Sequence, residues 1–255
     1  MNGQPAAGPL PGKINADRRK SGAESRLLSS ADSAATILLD LFGREWRLKR
    51  PATLEELWDS ATPETFGDDE RMPYWAEVWP SSLVLIRWLE RMRAEISGRA
   101  CLDIGCGLGL SATVGAFFGA RVLAFDYEPE AAKATGRNAV LNRTLEVFPL
   151  VMDWRDPAFK PRCFSRGWAG DILYEQRFAR PVAAFLQHCI APGGVIWLAE
   201  PSRTVYLEFL AIMRDFGWRT NKVHQDLAGF IDEQGRELPG PKSTVQIWEL
   251  TRPKE

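Results

Sequence analysis

Short apolar runs alternate with amphipathic stretches from residue 100 onward, and this alternation predicts strands separated by helices. The predicted strands are ACLDI (100–104), ARVLAFD (120–126), FPLVMDW (148–154) and VIWLAE (195–200). The predicted helices are LSATVGAFFG (110–119), EPEAAKATGRNAVLN (128–142), EQRFARPVAAFLQHCI (175–190, at least from Pro181) and TVYLEFLAIMRDFG (204–217). Such alternation is typical of an α/β fold, in which helices cover both faces of a mostly parallel sheet.

The end of the chain has a different pattern. WRTNKVH (218–224) and TVQIWELTR (244–252) are predicted strands that a loop separates, with no helix between them. We therefore expect them to pair antiparallel at one edge of the sheet. A turn is predicted at PGG (192–194), before the strand VIWLAE.

The stretch before residue 100 mixes several patterns. ILLDLFGREWRLKRPATLEELWDS (37–60) predicts an apolar helix, a short strand and a helix that begins near Pro51–Thr53, and TPETFGDDERMP (62–73) predicts a loop. A further helix is predicted up to Gly98, with Ser81 or Ser82 as its N-cap. Its apolar face would carry Leu85, Leu89, Met92 and Ile96.

The amino-acid composition argues against several classes of protein. The 255 residues are 45% hydrophobic and 25% charged with a net charge of −1, which argues against a nucleic-acid binder that works by bulk electrostatics. Only two histidines occur and no Cys-x-x-Cys pair, so no metal site and no disulfide framework is expected. The free thiols fit a reducing cytoplasm, and we expect a cytoplasmic monomer. The four cysteines are Cys101, Cys106, Cys163 and Cys189.

The first residues differ in composition from the rest. Residues 1–30 are polar, charged and proline-rich, which predicts a disordered leader; a transit peptide is the alternative. Residues 31–255 then form one domain, with an N-terminal extension over 31–98 and the Rossmann-like core over 99–255. No apolar stretch is long enough to span a membrane.

A glycine-rich turn follows the strand ACLDI, in the order Asp103-x-Gly105-x-Gly107-x-Gly109. No Gly-Lys-Ser/Thr follows, which excludes a P-loop, and Leu110 stands where a dinucleotide fingerprint has its last glycine. The Asp103 carboxylate would repel a pyrophosphate but would attract the ammonium group of S-adenosylmethionine (AdoMet). The pattern therefore favours AdoMet; the alternative is a tight turn whose aspartate caps the following helix.

Two further acidic positions fit the same cofactor. Asp126 ends the next strand, where a carboxylate can accept both ribose hydroxyls. Asp153 and Trp154 end the third strand, where an acid can accept the adenine amino group and an indole can lie on the ring. Trp154 as an ordinary core residue is the alternative.

These residues resemble a known family. DIGCGLG (103–109) together with Asp126 looks like motif I of the class I, seven-strand AdoMet-dependent methyltransferases. MPYWAEVWPSS (72–82) and GDILYE (170–175) resemble two signatures of the methyltransferase-like protein-lysine methyltransferases. AEPSR (199–203) resembles a stretch of the branch that methylates the electron-transfer flavoprotein β-subunit. The resemblance covers about residues 70–250.

The resemblance implies a Rossmann-like, doubly wound sheet of about seven strands, mostly parallel with an antiparallel edge strand. It implies that Gly105 and Gly107 line the methionine end of AdoMet, that Asp126 holds the ribose, and that Asp171 and Tyr174 flank the methyl-transfer site. The other residues that we expect at the cofactor are Trp75, Asp103, Cys106, Tyr127, Asp153, Trp154 and Gly170.

The fourth strand of the family should be a buried apolar run before Gly170. This chain has RCFSRGWAGD (162–171) there, and Ser165, Arg166 and Gly167 are poor residues for a central strand. A buried Arg166 would need a partner. The strand is therefore either short or unusual at its centre.

The candidate chemistry is methyl transfer to an amine. Asp171 can orient an incoming ammonium or accept its proton, and Tyr174 can shape an aromatic channel that suits a methylated cation. Asp171 as a cap of the following helix is the alternative. Among the other acids, Glu77 is interpreted as a solvated loop residue and Glu200 as a secondary candidate.

Three functions follow from this interpretation. The first is a protein-lysine N-methyltransferase, and the second is a small-molecule N-methyltransferase acting on an amine such as a nicotinamide-like compound. The third is a catalytically silent module with the AdoMet fold that serves as a binding partner. The intact cofactor motif, Asp171 and Tyr174 argue against the third.

Overall fold

The computed structural model describes residues 35–60 and 72–254. The predicted leader over 1–30 and most of the predicted loop over 62–73 lie outside the described residues. Among the described residues, no helix is long and apolar enough to cross a membrane.

The described chain begins with a β-hairpin. Strands β1 (Thr36–Leu41) and β2 (Arg44–Lys49) pair antiparallel, and Phe42 and Gly43 join them with φ angles of 58° and 72°. The apolar helix predicted at the start of this stretch is therefore wrong, whereas the short strand after it is confirmed. A turn with positive φ at both residues matches the twist of a hairpin, and it lets alternate side chains of both strands enter the core. The buried side chains are Ile37, Leu39, Trp46 and Leu48.

Helices and one turn lead from the hairpin to the sheet. They are α1 (Leu54–Ser60), a 3-10 turn (Tyr74–Ala76), α2 (Pro80–Arg91) and α3 (Arg93–Ile96). The predicted helix up to Gly98 is thus two helices, which meet at Met92. A serine N-cap is wrong, because Pro80 fills the first helical position and Trp79 precedes it without a side-chain cap.

A seven-strand sheet forms the core of the molecule. Its spatial order is β5-β4-β3-β6-β7-β9-β8, and the first five strands in this order are parallel. Strand β9 runs antiparallel to both β7 and β8. The predicted α/β fold and the antiparallel pair at one edge are confirmed. The strands are β3 (Ala100–Ile104), β4 (Arg121–Asp126), β5 (Val147–Val151), β6 (Phe164–Gly170), β7 (Ile190–Glu200), β8 (Arg219–Ala228) and β9 (Ser243–Thr251).

Helices connect the parallel strands and cover the sheet. They are α4 (Leu110–Phe117), α5 (Pro129–Leu141), α6 (Ala179–Cys189), which a 3-10 turn (Gln176–Phe178) precedes, and α7 (Val205–Asp215). Strand order reverses between β3 and β6, and ligands of such sheets bind at the carboxyl ends of the strands beside this reversal.

The predicted turn at 192–194 does not reverse the chain. These residues lie inside β7, where the pairing register with β6 shifts: Phe164 faces Ile190, but Arg166 faces Val195. Gly193 has a φ of 75° there. The glycines therefore form an irregularity within the strand.

Strand β6 is complete but unusual at its centre. Arg166 donates to the Glu95 carboxylate at 2.8 Å and to the Ser165 carbonyl at 2.8 Å, which supplies the expected partner. A side chain at Gly167 would lie 2.8 Å from the Leu102 carbonyl oxygen, so this strand position has room only for glycine. Trp168, fully buried, supplies the apolar volume that its neighbours lack.

Candidate functional site

A cavity of about 640 Å³ opens at the carboxyl ends of β3, β4 and β6. The glycine turn forms one side, the 3-10 turn at Tyr74–Ala76 a second, and the chain after β6 a third. Predicted site residues that line it are Trp75, Gly105, Cys106, Gly107, Asp126, Tyr127, Trp154, Gly170, Asp171 and Tyr174. Asp103 and Asp153 are not among its lining residues.

The glycine turn requires glycine at three alternate positions. Gly105, Gly107 and Gly109 all have positive φ, at 66°, 51° and 81°. A Cβ atom would lie 2.7 Å from Ile172 at Gly105 and 2.8 Å from Thr135 at Gly109. The turn can therefore present backbone to the cavity where no other residue type would fit.

Asp126 connects this turn to the end of β4. Its carboxylate accepts the backbone N–H of Gly107 at 3.0 Å and that of Glu128 at 3.0 Å, one on each oxygen. Burial raises the pKa of Asp126 to about 6, although both hydrogen bonds act in the opposite direction. The carboxylate also accepts a backbone hydrogen bond from Tyr127. It lines the cavity, so it can accept ligand hydroxyls there.

Asp103 lies beneath the turn, outside the cavity lining. It is buried, and its carboxylate accepts the Ser111 hydroxyl at 2.7 Å at the start of α4. Burial raises its pKa to about 7. The hydrogen bond from Ser111 connects Asp103 to the helix that follows the glycine turn. Contact of Asp103 with the ammonium group of AdoMet stays a prediction.

The two predicted adenine contacts stay together in the structure. Asp153 and Trp154 both line a small second pocket with Tyr127, and Asp153 forms an ion pair with Arg155 at 2.6 Å. Trp154 lines the cavity, is only 9% exposed, and packs edge to face on Phe178 with ring centroids 5.4 Å apart. Trp154 is therefore both a core residue and a wall of the cavity.

Asp171 and Tyr174 lie on the chain that follows β6. The Asp171 carboxylate is 6% exposed and forms an ion pair with Arg203, whose Nε and Nη2 donate to its two oxygens at 3.1 and 3.2 Å. No side chain caps the 3-10 turn at 176–178 or α6. The alternative role of Asp171 as a helix cap is therefore wrong.

Tyr174 forms an aromatic wall. Its ring packs edge to face on Tyr74 at 5.2 Å and on Phe178 at 5.1 Å. Burial raises the pKa of its phenol, and a hydrogen bond with Tyr127 acts in the same direction, so the hydroxyl stays protonated. Gly170 precedes this stretch, and a Cβ atom there would meet Leu85 and Ser82 only at 3.6 Å, an ordinary contact.

One functional candidate was missed from the sequence, and two others were misjudged. Arg203 belongs to the quoted AEPSR stretch, but only the structure brings it to Asp171. Glu77 is not a solvated loop acid, because it lines the cavity and accepts Arg50 at 3.1 Å. Glu200 is held away from the cavity lining, where it accepts Trp248 Nε1 at 3.2 Å and the Arg203 N–H at 3.0 Å.

The charged side chains around the cavity are mainly acidic. Arg203 is the one basic side chain among the described residues that line it. The acids that line it are Glu77, Asp126, Glu128, Asp171 and Glu175. Such a lining favours a cationic ligand. Among the described residues, no group of three or more histidine, cysteine or acidic side chains could hold a metal ion.

The sheet order and the cavity define the fold of the class I, seven-strand methyltransferases. A solved structure with this fold is the 16S rRNA N2 methyltransferase of T. thermophilus in complex with AdoMet and guanosine. It matches with a TM-score of 0.58 and 18% identity, over 86% of this chain and 51% of that chain. No protein-family model matches the chain.

Curated relatives are named electron transfer flavoprotein beta subunit lysine methyltransferase. The Xenopus laevis protein is 38% identical over 167 residues, which are 63% of this chain and 59% of that protein. The Danio rerio protein is 34% identical over 140 residues, which are 52% of each chain. The match thus spans between half and three fifths of these relatives. It confirms the predicted resemblance to this branch.

Proposed function

We propose that this protein is an AdoMet-dependent N-methyltransferase and that the methyl acceptor is a lysine side chain of a protein. One observation carries the proposal: the glycine turn with Asp126, and the pair Asp171 and Tyr174, line the same cavity. The first set fits a nucleoside with a cationic tail, and the second set fits an amine. Two relatives, 34% and 38% identical, are named electron transfer flavoprotein beta subunit lysine methyltransferase.

The residues at the turn fit AdoMet. Asp126 would accept the ribose hydroxyls, backbone of the glycine turn would line the methionine end, and Trp154 would border the adenine. The cavity has room at Gly170, where a Cβ atom would meet nothing closer than 3.6 Å. AdoMet supplies a methyl group on a positively charged sulfur, which the acidic lining attracts.

The side of the cavity that carries Asp171 and Tyr174 can bind the lysine side chain and remove its proton. A lysine amine is protonated at neutral pH, with a free pKa of about 10.4, and has to lose its proton before it attacks. Asp171 can receive the ammonium by charge attraction and then take its proton. Tyr174 and Tyr74 give the ammonium aromatic walls, where a cation is favoured over a neutral polar group.

A protein acceptor is preferred over a free amine because the named relatives modify a protein. We propose a cytoplasmic site of action, since the four cysteines are free, and a monomer that binds no nucleic acid, given the net charge of −1. A small-molecule amine as the acceptor and a module without activity are the outcomes that the experiment has to exclude.

The experiment is methyl transfer in a lysate of the source cells. Wild-type protein, Asp171→Asn and the control Asp215→Asn, an exposed residue at the end of α7, are incubated with AdoMet that carries a labelled methyl group. We expect label in precipitated protein and, after hydrolysis, in methylated lysine. Wild type and control should give this label, and Asp171→Asn should not.

Other outcomes contradict the proposal. Label that stays in the small-molecule fraction would indicate a metabolite amine, and label in another amino acid would indicate a different acceptor. No incorporation above a blank, despite AdoMet binding by calorimetry, would support the silent module.

A further inference from the structure

Arg203 reaches the candidate active site from the connection between β7 and α7. Its guanidinium contacts both oxygens of Asp171, from Nε at 3.1 Å and from Nη2 at 3.2 Å. Both residues line the cavity. A planar guanidinium that donates two N–H groups to both oxygens of a carboxylate fixes the orientation of that carboxylate. It also stabilises the negative charge of the carboxylate.

Asp171 depends on such a partner. Its side chain is 6% exposed, whereas that of Arg203 is 39% exposed and can keep part of its hydration. The Asp171 backbone has a φ of 52°, and its N–H donates to the Ala199 carbonyl at 2.9 Å. The carboxylate is therefore placed in the cavity wall by a constrained backbone, and a buried carboxylate without a partner is costly.

Arg203 is itself held in place. Its backbone N–H donates to Glu200 at 3.0 Å, and Glu200 in turn accepts the Trp248 indole N–H at 3.2 Å. Ser202, at a φ of 62°, donates to the Thr244 carbonyl at 3.2 Å. Hydrogen bonds to β9, directly and through Glu200, thus hold the backbone segment that carries the Arg203 guanidinium.

We propose that Arg203 is a positioning residue, which keeps the Asp171 carboxylate ionised and turned into the cavity for the substrate ammonium. The catalytic part of this proposal rests on the proposed function, because Asp171 has a substrate ammonium to bind only if the protein methylates an amine. Its physical content, that Arg203 controls the ionisation of Asp171, can be measured whether or not the protein transfers a methyl group.

The charges around Asp171 determine the direction of the effect. Burial raises the pKa of Asp171, and both the charge and the hydrogen bonds of Arg203 act against this. Glu200 and Tyr206 also face Asp171, and its charge contributes to the raised pKa of each of them. Neither supplies a positive charge, so without Arg203 the pKa of Asp171 should rise further.

The test compares wild type with Arg203→Met and Arg203→Lys. Arg214→Met is the matched control, because Arg214 is an exposed arginine in α7 that does not line the cavity. The pH titration of the Asp171 carboxyl carbon is followed by NMR in ¹³C-labelled protein, and the Asp171→Asn spectrum assigns the signal. Thermal melts and AdoMet calorimetry show whether each variant is folded.

We expect the titration midpoint of Asp171 to move to higher pH in Arg203→Met, to move less in Arg203→Lys, and to stay in place in the control. In the methyl-transfer assay, the acidic limb of the pH profile of kcat/KM should move in the same direction. Near neutral pH, kcat/KM of Arg203→Met should fall by about tenfold, less than the loss expected for a catalytic acid–base group.

An unchanged midpoint in a folded Arg203→Met protein overturns the proposal. So does an active wild-type enzyme whose pH profile is not altered by the substitution. If the midpoint moves but the wild type methylates nothing, the control of Asp171 by Arg203 stands and the proposed function fails.

Discussion

The Gly107 backbone N–H donates a hydrogen bond to the Asp126 carboxylate across 3.0 Å. This bond connects the turn after β3 to the end of β4, so a single side chain both shapes the glycine turn and faces the cavity. The carboxylate thus contributes to the site in two ways, which two substitutions can separate.

Asp126→Ala should lower the affinity for AdoMet by about 1.5–3 kcal/mol, since a charged acceptor for two hydroxyls is lost. Asp126→Asn keeps the shape and one acceptor and should lose less. Isothermal titration calorimetry with AdoMet and with NAD measures both effects. Binding of NAD as tight as that of AdoMet would contradict the assignment of the cofactor.

The affinity for AdoMet should also depend on pH. Because burial raises the pKa of Asp126 to about 6, the carboxylate is ionised above that pH and protonated below it. Protonation removes an acceptor, so affinity should fall as the pH drops from 7 to 5. Titrations at both pH values measure this fall, and Asp126→Asn should be nearly insensitive. An equal fall in the variant would place the titrating group elsewhere.

Asp171→Asn should reduce turnover by about 10²-fold or more, because asparagine keeps the shape of the side chain but cannot take a proton. AdoMet affinity should hardly change. Tyr174→Phe should be milder, since the ring that packs on Tyr74 and Phe178 remains. Single-turnover methyl transfer on an identified substrate is the measurement. Near-normal turnover of Asp171→Asn would move the chemistry to another acid.

Gly115 and Trp168 fit each other closely. A Cβ atom at Gly115 in α4 would lie 2.6 Å from the buried Trp168 indole in β6. Gly115→Ala should therefore lower the free energy of unfolding by about 1–3 kcal/mol, despite the higher helix propensity of alanine. Gly136→Ala in α5 is the control, because its Cβ atom would approach only the Pro149 ring, at 3.2 Å. Urea unfolding of both variants shows the difference; equal stabilities would mean that the indole relocates freely.

Asp103 should make the AdoMet-free protein less stable as the pH rises. Its pKa is about 7 in the folded protein and near 3.8 when exposed, so the folded state holds a proton that the unfolded state has lost. Stability should fall between pH 4 and 7, on the order of a few kcal/mol, and level off above. Asp103→Asn should reduce this fall and leave the smaller part that comes from the raised pKa of Asp126, while the exposed Asp215→Asn should not change it. Thermal melts across this range measure it, and parallel curves for wild type and Asp103→Asn would contradict it.

Most strands and helices of the core could be predicted, because they carry a regular apolar pattern between glycines and prolines. Strand β6 is the exception, since Ser165, Arg166 and Gly167 interrupt its apolar pattern. The hairpin could not, because the apolar run that contains β1 fits a helix as well as a strand; only the two-residue turn at Phe42 and Gly43 decides between them. The N-cap of α2 was missed because Pro80 starts the helix without any side-chain cap.

Some features of the candidate site could also be predicted from the sequence, and others could not. The family resemblance implied that Gly105, Gly107, Asp126 and Asp171 lie at one site, and all four line the same cavity. The sequence could not predict the ion pair between Asp171 and Arg203, whose partners are far apart in sequence and follow different strands. It also could not predict that Asp103 is buried and does not line the cavity, because a strand pattern does not show which side chains remain buried.

Asn138 in α5 and Asn142, the residue that caps its C-terminal end, bind strand β2 of the hairpin. Asn138 pairs through its amide with both backbone groups of Lys49, and Asn142 does the same with Arg47, at 2.7–3.1 Å. Asn138 also donates to the Leu108 carbonyl in the glycine turn at 2.9 Å. A shortened chain that starts after residue 50 would therefore leave both asparagine amides without their backbone partners in β2. It would also loosen the glycine turn, which Asn138 contacts. A shortened form of this chain that keeps the glycine turn in place therefore has to include the hairpin.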